Sequence, residues 1–340
     1  MSIVANLPGS KSLTNRALLV AAATDGVSVL RRPLVSADTV AFVDCLRAMG
    51  YGIDTVDAAA WRVHGSAHGP DLDGATLNCV DAGTAARFLP VLAASGHGRV
   101  RFDGSDQLRR RPLRPLFDAL TALGADVVAA SDVHDMPFDL VARGLPGGEV
   151  RVDGSRSSQF LTGLLLSAPL MKSPPRVHVD SLVSGPYVTM TIDLMRRCGV
   201  EVLVGPEGVL EVQPDRYRPT DLLVEPDAST ASYFFAAAAL TGATLTVPGL
   251  GAESLQGDMR FVEILARMGV VVETSAEATT VTGPDRLRGG FTVDMGDISD
   301  TFMTMACLAP YADAPIEVTG IAHARLKESD RIEATAQNLR

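Results

Sequence analysis

Apolar and polar positions along the chain fall into two alternating patterns. In the first, an amphipathic helical stretch halts at a glycine and turns into a β-branched run. Five segments show it: TVAFVDCLRAMGYGID, RPLFDALTALGADVV, TMTIDLMRRCGVEVLV, RFVEILARMGVVVE and RIEATAQNLR, the last without its strand. The halting residues Gly50, Gly124, Gly199 and Gly269 are 74, 75 and 70 positions apart. Glycine just past a helix supplies the left-handed backbone that a helix-to-strand turn needs. The second pattern interleaves with the first: GSKSLTNRALLVAAA, DAGTAARFLPVLAAS, GSRSSQFLTGLLLSAP, DASTASYFFAAAALTG and DISDTFMTMACLAP. Each opens on Gly, Ser, Thr or Asp and runs into a helix apolar on nearly all sides, which predicts burial. The hydroxyls at these starts predict side-chain capping. The fold expected is α/β, a repeat of a buried helix, strands, an amphipathic helix and another strand. Extending the period puts the next glycine about three places beyond Arg340, so the chain is expected to stop inside its fifth unit.

Composition narrows the function. The chain has 340 residues, is 46% hydrophobic and carries a formal charge of −10. The size suggests about two domains, and the charge argues against a nucleic-acid binder, which must neutralise phosphates. No apolar run reaches membrane-spanning length, and residues 1–10 lack the basic flank and apolar stretch of a signal peptide. The four cysteines, Cys45, Cys79, Cys198 and Cys307, show no CxxC spacing and sit in apolar segments. They are expected to be reduced core residues of a cytoplasmic protein. Only three lysines occur, Lys11, Lys172 and Lys327, against 27 arginines.

Two of those lysines fall in motifs that carry chemistry. Gly9-Ser10-Lys11-Ser12, with Asn15 and Arg16, stands on the threshold of the first buried helix. A helix N-terminus has unpaired N–H groups and partial positive charge, so cations there make an anion site for phosphate or carboxylate. Asp81-Ala82-Gly83-Thr84-Ala85-Ala86-Arg87 offers small residues that let a ligand approach the backbone. Arg109-Arg110-Arg111-Pro112-Leu113-Arg114 is either a solvated charge run or a cation cluster beside a helix start. Ser155-Arg156-Ser157-Ser158-Gln159 and Ser184-Gly185-Pro186-Tyr187 offer hydroxyls and an amide. Asp300, together with Arg325-Leu326-Lys327-Glu328-Ser329-Asp330-Arg331, supplies carboxylates and cations, either a solvated face or an acid/base set.

In this order the motifs LPGSKSLTNRALLVAA, AGTAARF, RRRPL, SSQFLTGLLLSAPL, VSGPY, EPDASTASYFFAAAA and RLKESDR resemble the 5-enolpyruvylshikimate-3-phosphate synthase (3-phosphoshikimate 1-carboxyvinyltransferase) family of enolpyruvyl transferases. The resemblance covers nearly the whole chain. It implies a two-domain inside-out α/β barrel of repeated βαβαββ units, the last truncated, with buried helix N-termini facing the interdomain cleft. The crossings would lie near Leu7-Pro8 and Leu223–Asp227. That gives a first domain at 9–224, on the shikimate 3-phosphate side, and a second at 1–8 and 225–340, incomplete at its C-terminal end. By the same comparison, the family's first strand and its last unit, with a His-Arg pair and a further lysine, are missing. Asp81 and His323 stand where asparagines are common.

The resemblance also implies the reaction: transfer of the enolpyruvyl group of phosphoenolpyruvate to the 5-hydroxyl of shikimate 3-phosphate, with release of phosphate, in the shikimate pathway to chorismate. No metal or organic cofactor is implied, and a monomer is expected. Matched residue by residue, Lys11, Ser12, Arg16, Ser157, Ser158, Gln159, Ser184, Tyr187, Asp300 and Lys327 hold shikimate 3-phosphate. Lys11, Gly83, Arg111, Gln159 and Arg331 hold phosphoenolpyruvate. Asp300, Glu328 and Lys11 are catalytic, the two carboxylates handling protons at the 5-hydroxyl and the methylene. Glyphosate would compete at the Gly83 pocket. Two alternatives stand beside this: a UDP-N-acetylglucosamine enolpyruvyl transferase, which normally uses a loop cysteine and lacks the SKS and KESDR patterns, and an inactive anion-binding fragment of the same fold.

Overall fold

The computed structural model describes residues 2–55, 59–131 and 133–340. Along the chain run β1 (Ser2–Val4), α1 (Lys11–Ala22), β2 (Gly26–Arg31), α2 (Ala37–Ala48), β3 (Gly52–Asp54) and β4 (Ala60–Gly65). The next round is β5 (Asp71–Asn78), α3 (Gly83–Ala94), β6 (His97–Asp103), the single turn α4 (Asp106–Arg109), α5 (Arg114–Ala122), β7 (Asp126–Ala129) and β8 (Phe138–Arg143). A third comprises β9 (Gly148–Gly154), α6 (Gln159–Ser167), β10 (Pro175–Leu182), α7 (Gly185–Arg197), β11 (Val202–Val204) and β12 (Val209–Val212). The fourth is β13 (Asp221–Leu223), α8 (Ala228–Thr241), β14 (Thr244–Pro248), α9 (Phe261–Arg267), β15 (Val271–Thr274) and β16 (Ala278–Thr282). Then come β17 (Phe291–Asp294), α10 (Phe302–Leu308), β18 (Ile316–Thr319) and α11 (Arg331–Leu339). The predicted alternation is therefore present, and the four halting glycines all have positive φ, from 86° to 97°.

Two compact units result. One holds Lys11–Val183 and Thr191–Val224; the other holds Met1–Ser10, Ser184–Met190 and Glu225–Arg340. We call them unit A and unit B. Unit A carries three four-stranded sheets, ordered β13-β2-β4-β3, β5-β6-β8-β7 and β11-β12-β10-β9. Each combines one parallel pair with antiparallel neighbours. Unit B carries β1-β14-β16-β15 and the parallel pair β17-β18. No sheet among the described residues closes into a barrel. Two strands depart from the expected order. The first sheet of unit A is completed by β13, from about 190 residues downstream, and β1 runs parallel to β14. The sequence reading had no strand at the start of the chain; Ser2–Val4 forms one because β14 offers it an edge.

The core of unit A is made of α1, α3 and α6. All twelve residues of α3 are buried, and ten of α1. Removing each large apolar side chain from water stabilises by roughly 1.5–3 kcal/mol. Close approach of α3 and α6 depends on Gly163, where a Cβ would stand 2.5 Å from the Arg87 carbonyl oxygen. In unit B, α8 and α10 pack together, joined by Ser232 and Thr304 hydroxyls 2.8 Å apart. Here burial is one-sided, which corrects the expectation of helices buried all round. Tyr233, Phe234 and Leu240 of α8 are exposed, because α8 packs on α9, α10, β14 and β16 with its other face only. Cys307 is exposed as well, on the face of α10 opposite Phe302, Met305 and Leu308, whereas Cys45, Cys79 and Cys198 are buried free thiols as expected. No helix among the described residues is long and apolar enough to cross a membrane.

Candidate functional site

Capping varies within both helix series; the amphipathic α5 and α9 carry no side-chain cap bond. The amphipathic helices α2 and α11 are capped by their own side chains, Ser36 accepting from Thr39 N and Asp330 from Glu333 N. The inner helices α3 and α6 have no side-chain cap bond, although Ser158 stands at the α6 cap position. The expected capping hydroxyls are thus not spent on capping there, although the Ser157 hydroxyl accepts from Gln159 N at 3.2 Å. α8 is the exception, with Asp227 accepting from Thr230 N.

Three contacts bring the N-terminal turns of the inner helices of unit A side by side. Asn15 of α1 donates to Thr84 of α3 at 2.7 Å, Arg87 of α3 lies over the Phe160 ring of α6, and Arg16 of α1 reaches Thr162 of α6. All six residues belong to the first six of their helices. Helix dipoles whose positive ends lie together make a strong local field for anions. Lys11 heads α1, half-exposed, its Nζ 3.0 Å from Asp38 in the first turn of α2. Ser12 gives its carbonyl to Arg16. Arg16 itself is buried, at 2% exposure, with Nε donating to Thr191 at 2.9 Å. Ser158 is buried, and Gln159 opens α6 with Oε1 buried and lacking a hydrogen-bond partner among the described residues.

The arginine cluster resolves into different jobs. Arg109 makes two 2.9 Å bonds to Asp103, which hold that carboxyl below its ordinary range despite partial burial. Arg110 is exposed, and Arg114 faces Asp118 across the surface of α5. Arg111 alone turns inward, 6% exposed, with its guanidinium against Gly83. Arg87 is buried and donates to the carbonyls of Gly83 and Pro112. Asp81 accepts from the Ser105 hydroxyl.

Unit B holds the second group. Tyr187, third in α7, places its hydroxyl 3.0 Å from both Asp258 and Asp300. Arg331, first in α11, donates to Asp300 at 2.9 Å and to Glu328 at 2.5 Å. Burial would raise the Asp300 carboxyl, but the charges of Lys327 and Arg331 and the bonds from Tyr187 and Arg331 hold it below its usual range. Burial and the two carboxylates push the Tyr187 phenol well up. Ser184 is buried beside His323, at 3.3 Å. Among the described residues no three His, Cys, Asp or Glu side chains converge as a metal site requires.

Asp258 was missed by the sequence reading. It sits in the short Gly257–Arg260 turn, where the pattern of QGDMR carries no period, and only the fold brings it to Tyr187 and Ser229. Burial first, and then the charge of Asp300, push its carboxyl up to about 7, against the bonds from Ser229 and Tyr187. The folded chain therefore binds a proton here that the unfolded chain, near 3.9, releases. Stability falls as pH rises between those two values. Asp258→Asn keeps an acceptor for Ser229 and removes the titration. Its melting temperature is expected to exceed wild type by roughly 2–5 °C at pH 8 and by much less near pH 4.5. Equal differences at both pH values would exclude the effect.

The chain matches the family model described as EPSP synthase (3-phosphoshikimate 1-carboxyvinyltransferase) over residues 2–340. It is 39% identical to 3-phosphoshikimate 1-carboxyvinyltransferase of Nostoc punctiforme, over 98% of this chain and 79% of that one. It is 40% identical to the Opitutus terrae protein of the same name (98% and 76%) and 39% identical to the chloroplastic one of Solanum lycopersicum (98% and 68%). In fold it is similar to the EPSP synthase structure from Acinetobacter baumannii, with TM-score 0.82 and 23% identity over 99% of this chain and 78% of that one. The enolpyruvyl transferase NikO from Streptomyces tendae follows at TM-score 0.69 and 21% identity, over 93% and 75%.

Proposed function

Because the chain belongs to the EPSP synthase family and is a 1-carboxyvinyltransferase, an enzyme of aromatic amino acid biosynthesis, we propose that its two residue groups divide the work of one reaction. The substrates are shikimate 3-phosphate and phosphoenolpyruvate; the products are 5-enolpyruvylshikimate 3-phosphate and phosphate. The observation that carries the reading is the Asp300 carboxylate, partly buried yet kept ionised by Lys327 and Arg331.

In unit A, Lys11, Ser12, Arg16, Ser157, Ser158 and Gln159 hold shikimate 3-phosphate, with Lys11 and Gln159 also facing phosphoenolpyruvate. The uncapped starts of α3 and α6 and the inward Arg111 beside Gly83 support anion binding there. Arginine grips a planar carboxylate in bidentate fashion, and lysine acts as a point charge. In unit B, Ser184, Tyr187 and Lys327 contact shikimate 3-phosphate, and Arg331 contacts phosphoenolpyruvate. Asp300 takes the proton of the 5-hydroxyl as its oxygen attacks the carbon that bears phosphate and carboxylate, while Glu328 delivers a proton to the methylene. The tetrahedral adduct then returns a methyl proton to Glu328 and expels phosphate, which leaves with the proton held by Asp300, so the double bond is restored and both carboxyl groups regain their starting states. Fixed cations around a centre carrying two anionic groups stabilise it more than the ground state. We assign 9–224 to the shikimate 3-phosphate side and 1–8 with 225–340 to the second domain. We further infer a cytoplasmic monomer, in keeping with four free thiols.

The test is phosphate release from shikimate 3-phosphate plus phosphoenolpyruvate on this chain. Release that needs both substrates is expected; none at saturating levels of both overturns the proposal. Lys11→Ala is expected to lower turnover by about 10²–10³-fold and to weaken shikimate 3-phosphate binding in a calorimetric titration. Unchanged binding would remove Lys11 from the site.

A further inference from the structure

His323 lies in the short turn Ala322–Leu326, only 8% exposed. Its Nε2 is 2.9 Å from the Ser299 hydroxyl and 3.3 Å from that of Ser184. One ring nitrogen thus serves two buried hydroxyls. Ser184 is held at φ +55°, a left-handed conformation uncommon for a residue other than glycine, and such positions persist where the surroundings over-determine them. Burial, and next the Lys327 charge, keep the ring below the ordinary histidine value, with Asp300 pulling the other way. At neutral pH the ring is uncharged.

We propose that His323 is a positioning residue for shikimate 3-phosphate: its neutral Nε2 fixes the Ser184 hydroxyl for the substrate, and protonation of the ring releases it. The proposal rests on the reading of Ser184 as a substrate ligand. A serine hydroxyl rotates to suit its partner. A partner that sets its direction in the free enzyme removes an ordering cost from binding. With the neutral ring assigned as the Nδ1–H tautomer, Nε2 accepts; protonation reverses the arrangement, because an imidazolium nitrogen donates and cannot accept. Both serine hydroxyls must then accept from the ring, and Ser184 turns its hydrogen away. The new charge also lies near Lys327 on the same segment. Across from it stands Asp300, whose other partners are Tyr187 and Arg331, with Asp258 beyond Tyr187. The α7 side presents Ser184, and the turn before α10 presents Ser299.

Steady-state kinetics test this on wild type, His323→Ala, His323→Asn, Ser184→Ala and the Ser184→Ala/His323→Ala double variant. His323→Ala is expected to raise KM for shikimate 3-phosphate about five- to tenfold, the range of one hydrogen bond, with a smaller change in kcat. Asn, which offers both a donor and an acceptor, restores KM to within about twofold. The double variant is no worse than Ser184→Ala. As pH falls below the ordinary histidine range, the wild-type KM rises more steeply than that of His323→Asn, whose profile keeps only the titration of the substrate phosphate. Unchanged KM in His323→Ala, or additive effects in the double variant, overturn the proposal. If Ser184→Ala alone leaves KM unchanged, the assignment of Ser184 as a ligand fails first, and the proposal with it. Should His323→Ala not fold, matching pH profiles of wild type and His323→Asn overturn the proposal, and the steeper wild-type rise supports it.

Discussion

Asp300→Asn is expected to lower kcat by about 10²–10⁴-fold, the span of general acid–base catalysis, while the protein folds as before. Asparagine is nearly isosteric: its one oxygen accepts from Arg331 in place of Oδ1, and its amide NH2, in place of Oδ2, donates to the Tyr187 oxygen, whose hydroxyl still reaches Asp258. Asparagine cannot take a proton. The carboxylate can, because burial, which favours the neutral acid, is outweighed by Lys327 and Arg331. A base so held is ionised across the neutral range, so Asp300 imposes no acid limb on kcat/KM near pH 6. The substitution has a second consequence. Asp258 loses the charge that helps push its carboxyl up, so its titration moves down toward the ordinary carboxylate range. Phosphate-release kinetics on the two proteins, with a shikimate 3-phosphate titration in the absence of phosphoenolpyruvate, separate chemistry from binding. Turnover within tenfold of wild type would take Asp300 out of the proton transfer. Weakened binding with near-normal kcat would make it a ligand and no base.

What the sequence disclosed follows the range of the interaction. Helices and their glycine stops are local: a 3.6-residue period and a C′ glycine act within a few residues, and α2, α5, α7 and α9 each end as read. The exchange of β13 and β1 between rounds of the repeat was not legible, because a partner about 190 residues away leaves no local signature. Burial was legible where three inner helices enclose one another, as for α3, and overstated for α8, whose Tyr233 and Phe234 look identical in sequence to core residues. In the candidate site, Lys11, Ser158 and Gln159 could be found because they stand on helix starts. From the pattern alone the three adjacent arginines could not be told apart; the resemblance singled out Arg111, and in the structure Asp103 claims Arg109 and Arg111 stands at Gly83. Asp258 had no signal of its own; its meaning comes from Tyr187, which lies 71 residues earlier in the chain.

Gly83→Ala is expected to raise KM for phosphoenolpyruvate by about 10–100-fold and to leave the fold intact. The new Cβ would stand 2.5 Å from Arg111 Nη1, 2.7 Å from Nη2 and 2.8 Å from Cζ, closer than atoms can come, so one side must yield. Helix α3 cannot, since all its residues are buried and it is packed on α1 and α6, with Gly163 already at the Arg87 carbonyl. The guanidinium is the far end of a flexible chain and moves instead. Alanine favours a helix over glycine by about 1 kcal/mol, so the strain falls on Arg111 while the helix itself gains. A displaced arginine forfeits a charge-assisted carboxylate contact of about 1.5–3 kcal/mol, which is the size of the predicted change. KM for shikimate 3-phosphate moves much less, because its proposed ligands in unit A stand on α1 and α6. Arg111→Ala should reproduce the defect, and the double variant Gly83→Ala/Arg111→Ala should be no worse than Arg111→Ala, since both act through one side chain. A normal KM for phosphoenolpyruvate in Gly83→Ala, with a normal melting temperature, would mean that Arg111 is a structural cation of the α3 threshold and that phosphoenolpyruvate is held elsewhere.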